Sequence, residues 1–169
     1  SISNDTLFVS LKLKNKAGHK FPSGYPSRRA VVQLIATGTS GDTIFSSGVF
    51  DRDFEIMQNF NAYFPHYNVI NSPSQVQVYE MIMGDVNGNR TSVLERADTM
   101  LKDNRIPPEG FSVLSEVYDT VKIVGDAAND PDFNRDPFGW EGSASDIIHY
   151  HIPLTTIAPI ANIYAKVYY

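Results

Sequence analysis

The residues with chemical potential begin with His19. It sits in Asn15-Lys16-Ala17-Gly18-His19-Lys20-Phe21-Pro22-Ser23-Gly24-Tyr25-Pro26-Ser27-Arg28-Arg29, where prolines stiffen the backbone and glycines free it. An imidazole held there has three uses. Its ring nitrogens can bond to loop carbonyls, ligate a metal or a haem iron, or move protons. The last needs partners that the local sequence does not supply. Arg28 and Arg29 are adjacent, so an extended backbone sends them to opposite faces and only one easily buries its guanidinium against a carboxylate.

Two acidic stretches come next. Asp85, Asn87 and Asn89 place oxygen side chains at every second residue around Gly88, like the first half of a calcium loop. The twelfth position of an EF-hand loop would fall at Arg96, which rejects that motif, and a turn using Asn and Gly explains the same letters. Asp126, Asp130, Asp132, Asn134 and Asp136 form a denser oxygen cluster. Clustered carboxylates repel unless solvated or bridged by a cation, so this segment is either a calcium site or a solvated acidic loop. His149 and His151, two apart on an expected strand, share a face and suit either a metal or the polar side of an edge strand. Tyr25, Tyr63, Phe64, Tyr67 and Trp140 offer flat rings for stacking on sugars or for a core. No Gly-x-Ser-x-Gly elbow, His-Glu-x-x-His pair, phosphate loop or dinucleotide fingerprint is present, so no hydrolase or nucleotide enzyme is indicated.

The elements that must position these groups read as strands. Leu7 to Leu13 alternates, Ala30 to Ala36 is an apolar run, Gly41-Asp42 marks a turn, and Thr43 to Phe50 returns as a hairpin. Asp51 to Ser74 is long, aromatic-rich and aperiodic. Further strands are expected at Gln75 to Met83, Val117 to Val124, Ile147 to Ile152 and Asn162 to Tyr169. The expected helix is Ser92 to Leu101, where Ser92 and Glu95 have capping-box spacing. The fold class is therefore all-β: one antiparallel β-sandwich domain over 1–169, Ig-like or jelly-roll-like, with one short helix and long loops. The last strand has no closing turn after it, which suggests that the chain belongs to a longer protein.

A length of 169 residues suffices for one domain with a real core, and no apolar stretch approaches the roughly 20 residues that span a bilayer. A net charge of −5 without a Lys/Arg run argues against nucleic acid as a partner. The absence of cysteine excludes disulfides, thiol catalysis and covalent c-type haem attachment through Cys-x-x-Cys-His.

Several phrases, taken in order, resemble a known region. They are Ala17 to Gly24 with Pro26 to Arg29, Gln75 to Glu80, Gly84 to Asn89, Leu101 to Phe111, Asp130 to Phe133, and Asp146 to Tyr150. Together they resemble the cysteine-free, C-terminal β-rich region that follows the haem-binding part of many bacterial multihaem c-type cytochromes. The resemblance implies a non-catalytic accessory module of a periplasmic or extracellular electron-transfer system, exported by a signal outside this chain. Its partner would be a haem-bearing cytochrome domain or subunit, and oligomer or filament formation is left open. Under this reading His19 is a candidate axial ligand to a haem in the neighbouring domain or subunit. The alternative role for the loop is a strand crossover with Arg28 or Arg29 paired to Asp103 or Asp146. The competing function is a stand-alone carbohydrate- or surface-binding sandwich with structural calcium.

Overall fold

The computed structural model describes residues 1–24, 28–57, 63–154 and 160–169. Its strands are β1 (Ile2–Ser3), β2 (Thr6–Lys14), β3 (Arg29–Gly38), β4 (Thr43–Ser47), β5 (Val69–Ile70), β6 (Val78–Gly84), β7 (Arg90–Thr91), β8 (Thr99–Asp103), β9 (Ser145–Pro153) and β10 (Ile160–Tyr168). One sheet has the order β1-β2-β9-β5. The other runs β10-β3-β6-β7, with β4 also on β3 and β8 also on β6. Every pairing is antiparallel except β5 with β9.

Alternation decides which faces meet. Leu7, Val9, Leu11 and Leu13 of β2 join Ile148, Tyr150 and Ile152 of β9, and pack on Ala30, Val32, Leu34 and Ala36 of β3. The first part of β3 is buried on its other face as well. There Val31 meets Val76, Val78, Ile56 and Phe64, which is why the sequence at Ala30 to Val32 is apolar without alternation. The turn after β3 is closed by Gly41 at φ 88°, and Gly38 N–H donates to the Asp42 carbonyl. Gly48 ends β4 at φ 70°, where an added Cβ would overlap the Val32 carbonyl oxygen. Among the described residues no helix is long and apolar enough to cross a membrane.

Three local expectations fail. The segment Ser92 to Leu101 forms a single 3-10 turn, Leu94–Arg96, whose cap position is Val93 with no side-chain cap bond. The rest becomes β8, paired to β6 from Met81↔Asp103 to Gly84↔Thr99. Val93 and Leu94 are exposed, so a helix there would have no apolar face to bury, and the ladder with β6 outweighs the local capping signal. Among the described residues the one α-helix is a single turn, Tyr118–Val121, inside the stretch read as a late strand. Val117 and Val121 are exposed there, and only Val124 reaches a bridge, to Asp103. The stretch expected as a strand from Gln75 to Met83 alternates at first, which implies one buried face, yet Val76, Gln77, Val78, Tyr79 and Glu80 are all inside, and the strand itself begins only at Val78.

Candidate functional site

The His19 loop is tied down from beneath. Asn15 is buried, with its Nδ2 within hydrogen-bonding distance of the carbonyls of His19 (2.7 Å), Ile106 (3.0 Å) and Pro107 (3.1 Å). Its Oδ1 accepts the Ala17 N–H at 2.8 Å. Phe21 and Ile106 exchange backbone bonds of 2.9 and 2.8 Å. Lys20 turns inward to Asp103 at 2.8 Å, and Asp103 also receives a forked pair of 2.8 Å bonds from Arg105. Burial lowers the Lys20 pKa, and the Asp103 charge works against that shift.

His19 itself points the other way. Its ring is exposed, and Nδ1 lies 3.0 Å from the Lys20 carbonyl. A carbonyl can only accept, so the contact selects the tautomer with the proton on Nδ1. Nε2 is then the basic nitrogen, in the orientation that metal-ligating histidines use when their other nitrogen is held by a carbonyl. The two arginines of the loop diverge as their adjacency requires, but neither reaches the expected acid. Arg28 donates to the Tyr169 hydroxyl at 2.9 Å and Arg29 pairs with Glu55 at 3.0 Å. Asp103 is taken by Lys20 and Arg105, and Asp146 by Tyr79.

A second histidine, His66, lies at the centre of a buried polar lattice that the sequence did not single out. Its Nδ1 faces Gln77 Nε2 at 2.8 Å and Asn104 Nδ2 at 3.0 Å. Backbone N–H groups fix both amides, since Tyr67 N–H donates to Gln77 Oε1 and Glu80 N–H donates to Asn104 Oδ1. Nδ1 must therefore accept, and the proton sits on Nε2, 3.0 Å from Asp130 Oδ2. Asp146 Oδ2 lies 4.0 Å from the same nitrogen and accepts the Tyr79 hydroxyl at 2.6 Å, while Asp146 Oδ1 has no partner. Burial pushes the Asp146 carboxyl up, and burial followed by the Asp146 charge pushes the Tyr79 phenol well above its ordinary value. Nearby, Lys102 spends its three donors on Phe64 O (2.6 Å), Val78 O (2.9 Å) and Glu80 Oε1 (3.1 Å).

Among the described residues, His66, Asp130 and Asp146 are the one group of histidines and acids close enough to share a metal ion. The protonated Nε2 argues against that use, because a metal there would need the lone pair that the proton occupies. The arrangement instead gives the buried imidazole a hydrogen-bond partner at each nitrogen.

The acidic residues expected to hold calcium do not converge. Asp130 turns in to His66. Asp132 pairs with His149 Nε2 at 2.8 Å. Asn134 bonds Phe111 O and the Ala144 N–H. Asp136 accepts the N–H groups of Phe138 and Trp140, both at 2.9 Å, and Asp126 is exposed. Asp85 accepts the N–H groups of Asn87 (2.8 Å) and Asn89 (2.9 Å), closing the turn between β6 and β7 with Gly88 at φ 78°. Those two bonds, the one from Asn89 first, hold the Asp85 carboxyl below its ordinary value. His149 and His151 share the outer face of β9, an interior strand of its sheet. His149 is engaged by Asp132 and Ser10, and His151 packs edge-on against Phe8 at 4.8 Å. The rings proposed for sugar stacking are dispersed: Phe64 is core, Tyr67 packs on the main core, Tyr63 is half-buried and Trp140 is exposed. Tyr25 lies outside the described residues.

Comparison with known proteins gives one informative match. No family model matches the chain, and no curated protein matches it in sequence. The fold is similar to part of a penta-haem cytochrome c552 from Thermochromatium tepidum, with a TM-score of 0.54 and 14% identity. The match covers 99% of this chain and 29% of that protein. The chain itself has no cysteine, so it forms no thioether bond to a haem.

Proposed function

We propose that the chain is the C-terminal β-sandwich module of a periplasmic or extracellular multihaem cytochrome, and that it supplies His19 as an axial ligand to a haem carried by the polypeptide it packs on. The geometry of His19 carries this reading. The loop is fixed by Asn15, Lys20 and the Phe21–Ile106 bridge, Nδ1 is committed to a backbone carbonyl, and Nε2 is the basic nitrogen of an exposed ring. The shared fold with part of a penta-haem cytochrome supports the partner class. A bound haem would supply one-electron chemistry. This chain would contribute the Nε2 lone pair of His19 from a loop tied down by Asn15 and Lys20, and the hydrogen bond at Nδ1 would tune the potential.

The test is a titration of the purified chain with an iron(III) haem peptide, a c-type haem on a short Cys-x-x-Cys-His segment with one axial position open. The expected result is conversion of the visible spectrum to the low-spin, two-nitrogen form by the wild type and its loss in His19→Ala. Equal spectra for the two proteins would overturn the assignment.

A further inference from the structure

The two sheets are unequal in width, and the difference leaves an apolar ledge. Strand β10 ends the wider sheet and pairs with β3 along its length, Ile163 opposite Ala36 and Val167 opposite Val32. Paired residues point to the same side of a sheet, so Ile163 and Val167 face the same way as the inner core of β3. Ala36 and Val32 are fully buried under the other sheet, yet Ile163 and Val167 are 41% and 43% exposed. Beneath this overhang runs a groove of about 410 Å³, lined by Leu13, Ala17, Phe21, Ile106 and Val167 with Lys14 and Lys16.

The groove and the His19 loop are one structure. Ala17 and Phe21, each two residues from His19, form its wall, and the Phe21 ring meets Tyr169 at 5.5 Å. Charge at this place runs against the molecule as a whole. The chain carries −5, but Lys14 and Lys16 stand exposed here, and Lys14 has only the exposed Glu109 as a loose counter-ion at 3.5 Å. An apolar slot with two ammonium groups and an exposed basic imidazole nearby suits a flat apolar ring system that bears carboxylates and an open metal position. A porphyrin with its propionates has that chemistry, whereas an uncharged apolar segment would use neither the lysines nor the imidazole.

From this, resting on the reading of His19 above, we infer that the β2–β10 groove seats the haem group of the partner polypeptide, with Leu13, Phe21 and Val167 against the ring and Lys14 and Lys16 toward the propionates.

The experiment titrates the isotope-labelled chain with the zinc-substituted haem peptide, whose diamagnetic ring shifts the amide resonances it covers. The expected result is shifts confined to residues 13–21, 105–107 and 160–169, the segments that carry the groove lining. Val167→Glu, and separately Lys14→Glu with Lys16→Glu, should each weaken binding by about tenfold without altering the thermal midpoint. All three positions are exposed or half-exposed, and the lysine pair serves should Val167→Glu fail to fold. Shifts centred elsewhere, no shifts at millimolar peptide, or unchanged affinity in the lysine variant would overturn the inference. So would a β10-mediated dimer that the peptide does not displace. These outcomes are separable from failure of the axial-ligand reading, which is scored on the iron(III) spectrum of His19→Ala.

Discussion

Two of the four histidines, His66 and His19, are placed in opposite ways. His66 is enclosed, accepts two amide N–H groups on one nitrogen, and donates to a carboxylate from the other. His19 is exposed, and only its Nδ1 is tied, to a carbonyl one residue away. A ring with both nitrogens satisfied by fixed partners organises a core and has no valence left for a ligand. A ring with one nitrogen anchored and the other basic is prepared to ligate. The two regions are joined through Asp103, the last residue of β8, and Asn104 directly after it: Asp103 holds Lys20 beneath the His19 loop and Asn104 holds His66. The buried lattice therefore acts as the foundation on which the exposed loop is set.

The comparison breaks most visibly where the lattice is cut. Lys102→Ala removes the ammonium that pairs with buried Glu80 and leaves the Phe64 and Val78 carbonyls without that donor. The expected cost is about 3–5 kcal/mol of folding stability, read from urea unfolding, since the remaining carboxylate is stranded in the core. A loss below about 1 kcal/mol would mean that water enters and replaces the ammonium.

A smaller effect lies at the junction. Asn15→Ala strips one side chain from the carbonyls of His19, Ile106 and Pro107 and from the Ala17 N–H. Unpaired buried backbone groups of this kind cost about 1–3 kcal/mol. The affinity for the haem peptide should fall although His19 is intact. Unchanged affinity with reduced stability would show that the loop holds its shape without Asn15.

Strands β2 and β9 were legible in the sequence because their alternation, Leu7-Val9-Leu11-Leu13 and Ile148-Tyr150-Ile152, is a local consequence of having one buried face. The lattice was not legible from patterning, because its members come from distant segments: His66, Gln77, Tyr79, Asn104, Asp130 and Asp146 meet only when the sheets pack. One signal pointed there. Gln77 and Lys102-Asp103-Asn104 are polar residues at positions that are fully enclosed, and they fall within the same phrases that carry the resemblance to cytochrome β-rich regions. The capping-box spacing at Ser92 misled for the complementary reason, as a local preference was overridden by the non-local ladder between β6 and β8.

The pH dependence separates the lattice further. Burial raises the Asp146 carboxyl above its ordinary value, so the folded chain holds that proton more tightly than the unfolded chain does. Stability from this group is then complete below the unfolded pKa and is lost as pH rises through the raised folded one. Asp146→Asn keeps an acceptor for the Tyr79 hydroxyl and removes the titration. The variant should be within about 1 kcal/mol of wild type in acid and should gain on it toward neutral pH, as followed by thermal unfolding across pH. A stability difference that does not change with pH would show that Asp146 carries the same charge in both states.

The smallest stability effect is expected where the functional effect is largest. His19→Ala removes an exposed ring whose one bond is to an adjacent carbonyl that can turn to water, so unfolding free energy should move by no more than about 0.5 kcal/mol. A residue placed for the fold would not behave so, and His66→Ala should lose stability heavily in the same assay because it strands Asp130 and two buried amides. If His19→Ala were as destabilising as His66→Ala, the imidazole would be a structural part of its loop. The contrast between an anchored and a ligating histidine would then collapse.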